Sequence, residues 1–343
     1  MKKGVLLVNL GSPESPTAKD VKPYLDEFLM DKYVIDVPYW LRVFLVRGII
    51  IGFRNRAEKS AEAYSQIWWD EGSPLIVISE RLHKKVQAKT DIPVVLAMRY
   101  GKPSIESGLK ELHQKGITDV LVLPLYPQHA MASTQTITEL ANTIQKKQFP
   151  DMKLTHFPAF YNKKDYIKAL AESMKKSLEG YDYEKLVFSY HGIPERHVRK
   201  TGKPETHKKF VKDEYCCKPD TPDSEFCYRT HCFETTRQVI EYLGIPREKV
   251  METFQSRLSG DKWLDPYTDV EINNLAKNGI KKIAVVTPAF VSDCLETLEE
   301  IAMRAKADFI ENGGEEFLAI PCLNDDDDWC NVVVDWIGDF QRT

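Results

Sequence analysis

Two stretches of this chain have the same form, and that duplication limits the fold more than any other feature. Val5-Leu6-Leu7-Val8-Asn9-Leu10-Gly11-Ser12-Pro13 is an apolar run that ends in a Gly-x-Pro turn, and Leu186-Val187-Phe188-Ser189-Tyr190-His191-Gly192-Ile193-Pro194 repeats it. A second echo follows in each half. Gly116-Ile117-Thr118-Asp119-Val120-Leu121-Val122-Leu123-Pro124 is matched by Gly279-Ile280-Lys281-Lys282-Ile283-Ala284-Val285-Val286-Thr287-Pro288. Uninterrupted apolar strands are buried on both faces, which requires a parallel sheet covered by helices.

Helical patterns alternate with these strands over 104–115, 134–147, 164–178, 235–243 and 295–310. The fold class is therefore α/β, with two similar doubly wound halves, parallel sheets and a cleft between them. The expected division is residues 1–160 and 161–343. Ligands of such sheets bind beyond the carboxyl ends of the strands. The turns at 9–13, 126–129, 189–194 and 290–294 are thus expected to converge on one cleft. No Gly-x-Gly-x-x-Gly and no Gly-x4-Gly-Lys-Ser/Thr occurs, so nucleotide binding has no support. A net charge of −4 argues against a nucleic-acid-binding face.

Two segments depart from the pattern. Residues 37–53 carry Trp40, Leu41, Phe44, Leu45, Ile49, Ile50 and Ile51, interrupted by Arg42 and Arg47. That composition suits an apolar lip or an interfacial segment, and equally an ordinary buried helix. It falls short of a spanning helix. From Arg196 to His231 the chain is polar, charged and without periodicity, which reads as a long inserted loop. Four of the seven cysteines lie in it or just after it, as Cys216-Cys217-x9-Cys227-x4-Cys232. An odd cysteine count in a long chain argues against a disulfide framework and for a reducing cytoplasm. Four thiols in so short a polar segment point to a thiolate-bound metal. The spacing matches neither paired Cys-x2-Cys zinc ligands nor the common ferredoxin pattern, and adjacent thiols suit an iron–sulfur cluster better than a zinc cage. His231 is a candidate substitute ligand.

His191 stands at the carboxyl end of its strand, where the first half has Leu10. Imidazole changes charge near neutral pH, so a histidine there can accept a proton or ligate a metal. In Asp293-Cys294-Leu295-Glu296-Thr297-Leu298-Glu299-Glu300, helical spacing puts Glu296 and Glu300 on one face and extends the row to Asp293. That row is either a solvated acidic face balanced by Arg304 or an oxygen-rich track for a divalent cation such as Fe²⁺, Zn²⁺ or Mn²⁺. Aromatics near the expected loop ends, among them Tyr64, Trp68, Tyr100, Tyr126, Trp263 and Phe290, suit a flat apolar ligand, although core packing explains them nearly as well.

These motifs, with Thr253-Phe254-Gln255-Ser256-Arg257 and Trp263-Leu264-x-Pro266-Tyr267-Thr268-Asp269, resemble ferrochelatase from about residue 3 to 322. The resemblance implies a chelatase-like fold and insertion of Fe²⁺ into protoporphyrin IX, with release of two protons. His191 would abstract pyrrole protons or hold iron. Glu296 would be the facing carboxylate, with Glu300 its neighbour. Leu10 would lie on the opposite porphyrin face. Arg56, Tyr64 and Ser73 would hold the propionates, and Arg99, Tyr100, Tyr126, Trp263 and Phe290 would line the pocket. A [2Fe-2S] cluster would sit on Cys216, Cys217, Cys227 and Cys232. The arrangement that uses a first-half cysteine is excluded by Met131, and Cys294 replaces the histidine of many relatives. The implied partners are the porphyrin and ferrous iron, with a peripheral contact to the inner face of the membrane. A coproporphyrin III ferrochelatase, a cobalt or nickel chelatase and a non-catalytic porphyrin or metal carrier are the competing readings.

Overall fold

A computed structural model describes residues 2–53, 55–201, 219, 221–222, 224–257 and 260–343. It contains two four-stranded parallel sheets of the same strand order. The first is built from β1 (Lys3–Asn9), β2 (Val94–Met98), β3 (Asp119–Pro124) and β4 (Lys153–His156), in the order β2-β1-β3-β4. The second uses β5 (Lys185–His191), β6 (Val250–Gln255), β7 (Lys282–Val286) and β8 (Glu316–Ala319), in the order β6-β5-β7-β8. The duplicated apolar runs are the interior strands β1 and β5, paired on both edges and buried along nearly their whole length. This is the parallel α/β architecture expected from the uninterrupted apolar runs.

By contact the chain divides into two units. One runs through Leu125 and adds Met131–Pro158 and Asp325–Thr343; the other is Tyr126–Ala130 with Ala159–Asn324. The last helix, Asp327–Arg342, therefore groups with the first unit, although a division at residue 160 places it with the second. Its apolar face explains this. Trp336 stacks on Phe157 with ring centroids 4.6 Å apart, and Lys3 Nζ donates to the Phe340 carbonyl at 2.7 Å.

The cysteine-bearing insert is shorter as a loop than expected. A helix covers Glu195–Thr201, and another begins at Tyr228 and runs to Leu243. Every residue from Tyr228 to Thr236 is buried. That enclosed half has no solvent-facing stripe, so it lacks the periodicity that marks a surface helix, while the second half, where Arg237, Glu241 and Tyr242 are exposed, carries the pattern over 235–243. The acidic segment differs too. Glu296–Ala305 is π-helical, and α-helix resumes only at Lys306–Glu311.

Two glycines show why the strand-ending turns contain glycine. Gly11 has φ +106°, and a Cβ there would lie 1.8 Å from the Tyr100 carbonyl oxygen. A Cβ on Gly192 would lie 2.7 Å from the Gln255 carbonyl oxygen. In both turns the neighbouring backbone occupies the space a side chain needs. Gly11→Ala should therefore cost more than about 3 kcal/mol of folding stability, because the colliding atom is backbone. Gly180→Ala, also at positive φ but in open space, should cost only about 1–2 kcal/mol. Denaturant midpoints of the two variants measure the difference, and equal losses would contradict the account.

Candidate active site

His191 is the last residue of β5 and pairs with Gln255, the last residue of β6. Its Nδ1 lies 2.6 Å from the Gly192 carbonyl oxygen. A carbonyl only accepts, so Nδ1 carries the proton and Nε2 carries the lone pair. Among the described residues Nε2 has no hydrogen-bond partner. The Phe290 ring stands edge-on to the imidazole with centroids 6.1 Å apart, and Trp263 packs against Gly192. An antiparallel bridge between Pro194 and Trp263 fixes that packing.

Gln255 ties this turn to the acidic segment. Ser189 Oγ donates to its amide oxygen at 2.7 Å, and its amide nitrogen donates to the Glu296 carbonyl at 3.0 Å and the Glu300 carboxylate at 3.4 Å. Glu300 is further held by the Ser256 backbone N–H at 3.0 Å and by the Ser256 hydroxyl. Ser256 adopts φ +65°, so the chain turns out of the strand direction directly after this N–H. Two carboxylates expected to act alike are thus unlike. Glu300 is a fixed acceptor inside a hydrogen-bond cage. Glu296 is half-buried, and among the described residues no cation pairs with it.

The flanking residues also separate by role. Arg304 pairs directly with Glu299, through contacts at 3.1 and 3.2 Å, and acts on Glu300 only through its longer-range field. Asp293 does not extend the acidic row. It is buried and accepts from Thr297 Oγ1 at 2.8 Å and Asn324 Nδ2 at 2.7 Å, which makes it a structural junction. Burial, reinforced by the Glu296 carboxylate, pushes the Cys294 thiol well above its usual range and keeps it protonated. Among the described residues no group of three or more His, Cys, Asp or Glu side chains is arranged to hold a metal.

Leu10 ends the equivalent turn in the first unit and is partly exposed. In that unit Arg56 is exposed at the start of the helix Arg56–Ile67, while Tyr64 and Ser73 are buried. Arg99 and Tyr100 are engaged inside the first unit. Tyr100 is fully buried, with its hydroxyl donating to Asp31 at 2.9 Å, and Arg99 binds Asp31 and Thr136. A buried carboxylate needs such partners, and Asp31 takes both side chains for that purpose. Tyr126 is buried within the second unit.

The apolar lip is exposed where it matters. Tyr39 is 56%, Trp40 81%, Leu41 46% and Phe44 62% exposed. Arg42 turns inward, donating to the Met30 and Val37 carbonyls at 3.0 and 2.7 Å, and Arg47 is held by Asp26 at 2.7 Å. Neither arginine puts a free charge on the apolar face.

Of the four cysteines in the insert, Cys216 and Cys217 lie outside the described residues. Cys227 and Cys232 are buried, Cys227 just before the helix Tyr228–Leu243 and Cys232 within it. His231 is no substitute ligand. Its Nδ1 accepts from the His129 backbone N–H at 3.1 Å, and its Nε2 donates to the Ser224 carbonyl at 2.8 Å. Gln255 and Ser256 lay in a recognised motif without an assigned role, because only the fold shows which atoms their side chains reach.

Comparison with known proteins adds an independent line. The sequence pattern that defines the ferrochelatase family matches residues 2–339. A ferrochelatase of Pseudomonas fluorescens (strain Pf0-1) is 46% identical over 331 residues, covering 96% of this chain and 95% of the relative. One from Stutzerimonas stutzeri is 45% identical over 335 residues, covering 97% and 96%. Among solved structures, SirB from Bacillus subtilis with Fe3+ superposes with a TM-score of 0.56 at 13% identity, covering 98% of this chain and 95% of that one. The sirohydrochlorin chelatase SirB from Bacillus subtilis subspecies spizizenii gives 0.51 at 12% identity, covering 98% and 93%. The two structures share the fold.

Proposed function

The chain belongs to the ferrochelatase family of metal-chelating lyases in haem biosynthesis, and from that premise we propose that it inserts ferrous iron into protoporphyrin IX to give protohaem. The observation that carries this reading is the His191 ring, pinned at Nδ1 with an open lone pair at Nε2. Metal insertion requires two pyrrole N–H protons to leave. Nε2 is placed to accept one of them. Glu296 is the carboxylate available to meet the cation or take the second proton, while caged Glu300 contributes fixed negative charge behind it. Phe290 and Trp263 give the turn flat apolar walls that suit a macrocycle. In the first unit, Leu10 is the residue proposed to meet the opposite porphyrin face, with Arg56, Tyr64 and Ser73 toward the propionates.

The exposed lip favours protoporphyrin, with two propionates, over coproporphyrin, with four. Its exposed Tyr39, Trp40, Leu41 and Phe44 also support a peripheral contact with a lipid surface. The thiol set Cys216, Cys217, Cys227 and Cys232 is proposed to hold a [2Fe-2S] cluster. Burial of the two described thiols beside the start of one helix fits that group. A bound cluster would cross-link the insert to this helix, and no step of chelation runs through it.

Three outcomes follow. Mixed anaerobically with ferrous iron, the protein should metallate protoporphyrin IX faster than coproporphyrin III, and His191→Ala should lose at least about a thousandfold in kcat while still binding porphyrin. Turnover of coproporphyrin alone would overturn the substrate assignment, and near-normal kcat in the variant would overturn the role of His191. Anaerobically purified protein should contain about two irons and two acid-labile sulfides per chain. A colourless, iron-free preparation would contradict the cluster. Flotation with phospholipid vesicles should recover the wild type, and Trp40→Asp should weaken binding about tenfold or more. Equal flotation of the two would remove the lip from membrane contact.

A further inference from the structure

The two halves repeat one another closely enough that a hydrogen bond made in one and missing in the other is informative. In the first unit the Leu10 carbonyl accepts the Tyr100 backbone N–H at 2.8 Å, extending the sheet pattern one residue past the strand. Leu10 corresponds to His191, and Tyr100 corresponds to Ser256. The matching bond would run from the Ser256 N–H to the His191 carbonyl. It is not made, because the Ser256 N–H donates to Glu300 instead. The cage that holds the acidic segment thus removes the backbone donor from the histidine.

A side chain fills that place. Tyr228 Oη donates to the His191 carbonyl at 2.7 Å, and Tyr228 is buried. On the other side of the same peptide, the Gly192 N–H donates to the Gln255 carbonyl at 2.7 Å. The peptide between His191 and Gly192 is therefore clamped at both its oxygen and its nitrogen. The next carbonyl along, that of Gly192, is the one that holds the imidazole proton on Nδ1. A shift of this peptide moves that acceptor and releases the ring.

We propose that Tyr228 is a positioning residue for chelation: its hydroxyl replaces the lost sheet bond at the His191 carbonyl and so keeps the imidazole in the tautomer whose Nε2 is open. The inference rests on the reading of His191 as the reacting group. It also gives the cysteine-bearing segment a physical line to the site. Tyr228 follows Cys227 directly and lies one helical turn before Cys232, so the order of that segment bears on the histidine through one hydroxyl.

The test is Tyr228→Phe, which keeps the ring and removes the donor. Selective ¹⁵N labelling of histidine reads the tautomer of His191, assigned by its loss in His191→Ala. The parent should show the proton on Nδ1 near neutral pH, and the variant should show a mixture of tautomers. Porphyrin KM should stay within about twofold while kcat falls about tenfold, the size expected for one lost hydrogen bond at a positioned group. The iron content of variant and parent is measured alongside. An unchanged ring spectrum with unchanged kcat would overturn the proposal, and so would a loss of activity that tracks lost iron with the tautomer unaltered. Proton on Nε2 in the parent itself would overturn it even if the variant did not fold. If the parent fails to metallate any porphyrin while its tautomer responds to Tyr228→Phe, the proposed activity fails and the positioning contact stands.

Discussion

The parallel ladder between β5 and β6 runs to His191 and Gln255 and stops there, and the chemistry of the site depends on how it stops. Inside the ladder the N–H and C=O groups that the two strands turn toward each other are paired. At its end the polar groups must find others or remain available. The Gln255 side chain reaches to the acidic segment, Ser256 turns its N–H onto Glu300, and Tyr228 takes the His191 carbonyl. Nε2 of the imidazole has no hydrogen-bond partner among the described residues, and neither does the buried Trp263 Nε1 beside it. An open lone pair held in a rigid surround is what a proton acceptor requires, since the ring needs no reorganisation when the proton arrives.

The duplicated fold shows how one scaffold yields two different strand-end turns. Both units end their first strand, β1 or β5, in a Gly-x-Pro turn, and in both turns glycine makes room for a backbone carbonyl. In the first unit the pattern continues undisturbed and presents Leu10. In the second the same position is histidine, and its surroundings are rebuilt around two carboxylates. Glu296 and Glu300 differ although they lie on one segment. One is caged by donors, and the other is left for solvent, cation or proton.

Much of this was legible in the sequence, for a physical reason. Interior parallel strands read as uninterrupted apolar runs, so β1, β3, β5 and β7 announced themselves. The positions of His191, Glu296 and Glu300 followed from strand ends and helical spacing. The first half of the helix from Tyr228 did not, because burial on every side erases periodicity, whereas its second half shows in the pattern over 235–243. Nor did the enclosure of Tyr100, the junction at Asp293 or the engagement of both His231 nitrogens. Each of those depends on a partner distant in sequence, such as Asp31, Asn324 or His129. Sequence pattern reports which face is apolar, and it does not report which atom a polar group meets.

The central claim is that His191 Nε2 is the open, reacting atom of the site. The most direct measurement is the ¹⁵N spectrum of the labelled His191 ring as protoporphyrin IX is added without metal. The account predicts that the Nε2 resonance moves on binding while Nδ1 keeps its proton. An Nε2 resonance indifferent to bound porphyrin would contradict it and place the chemistry elsewhere in the chain.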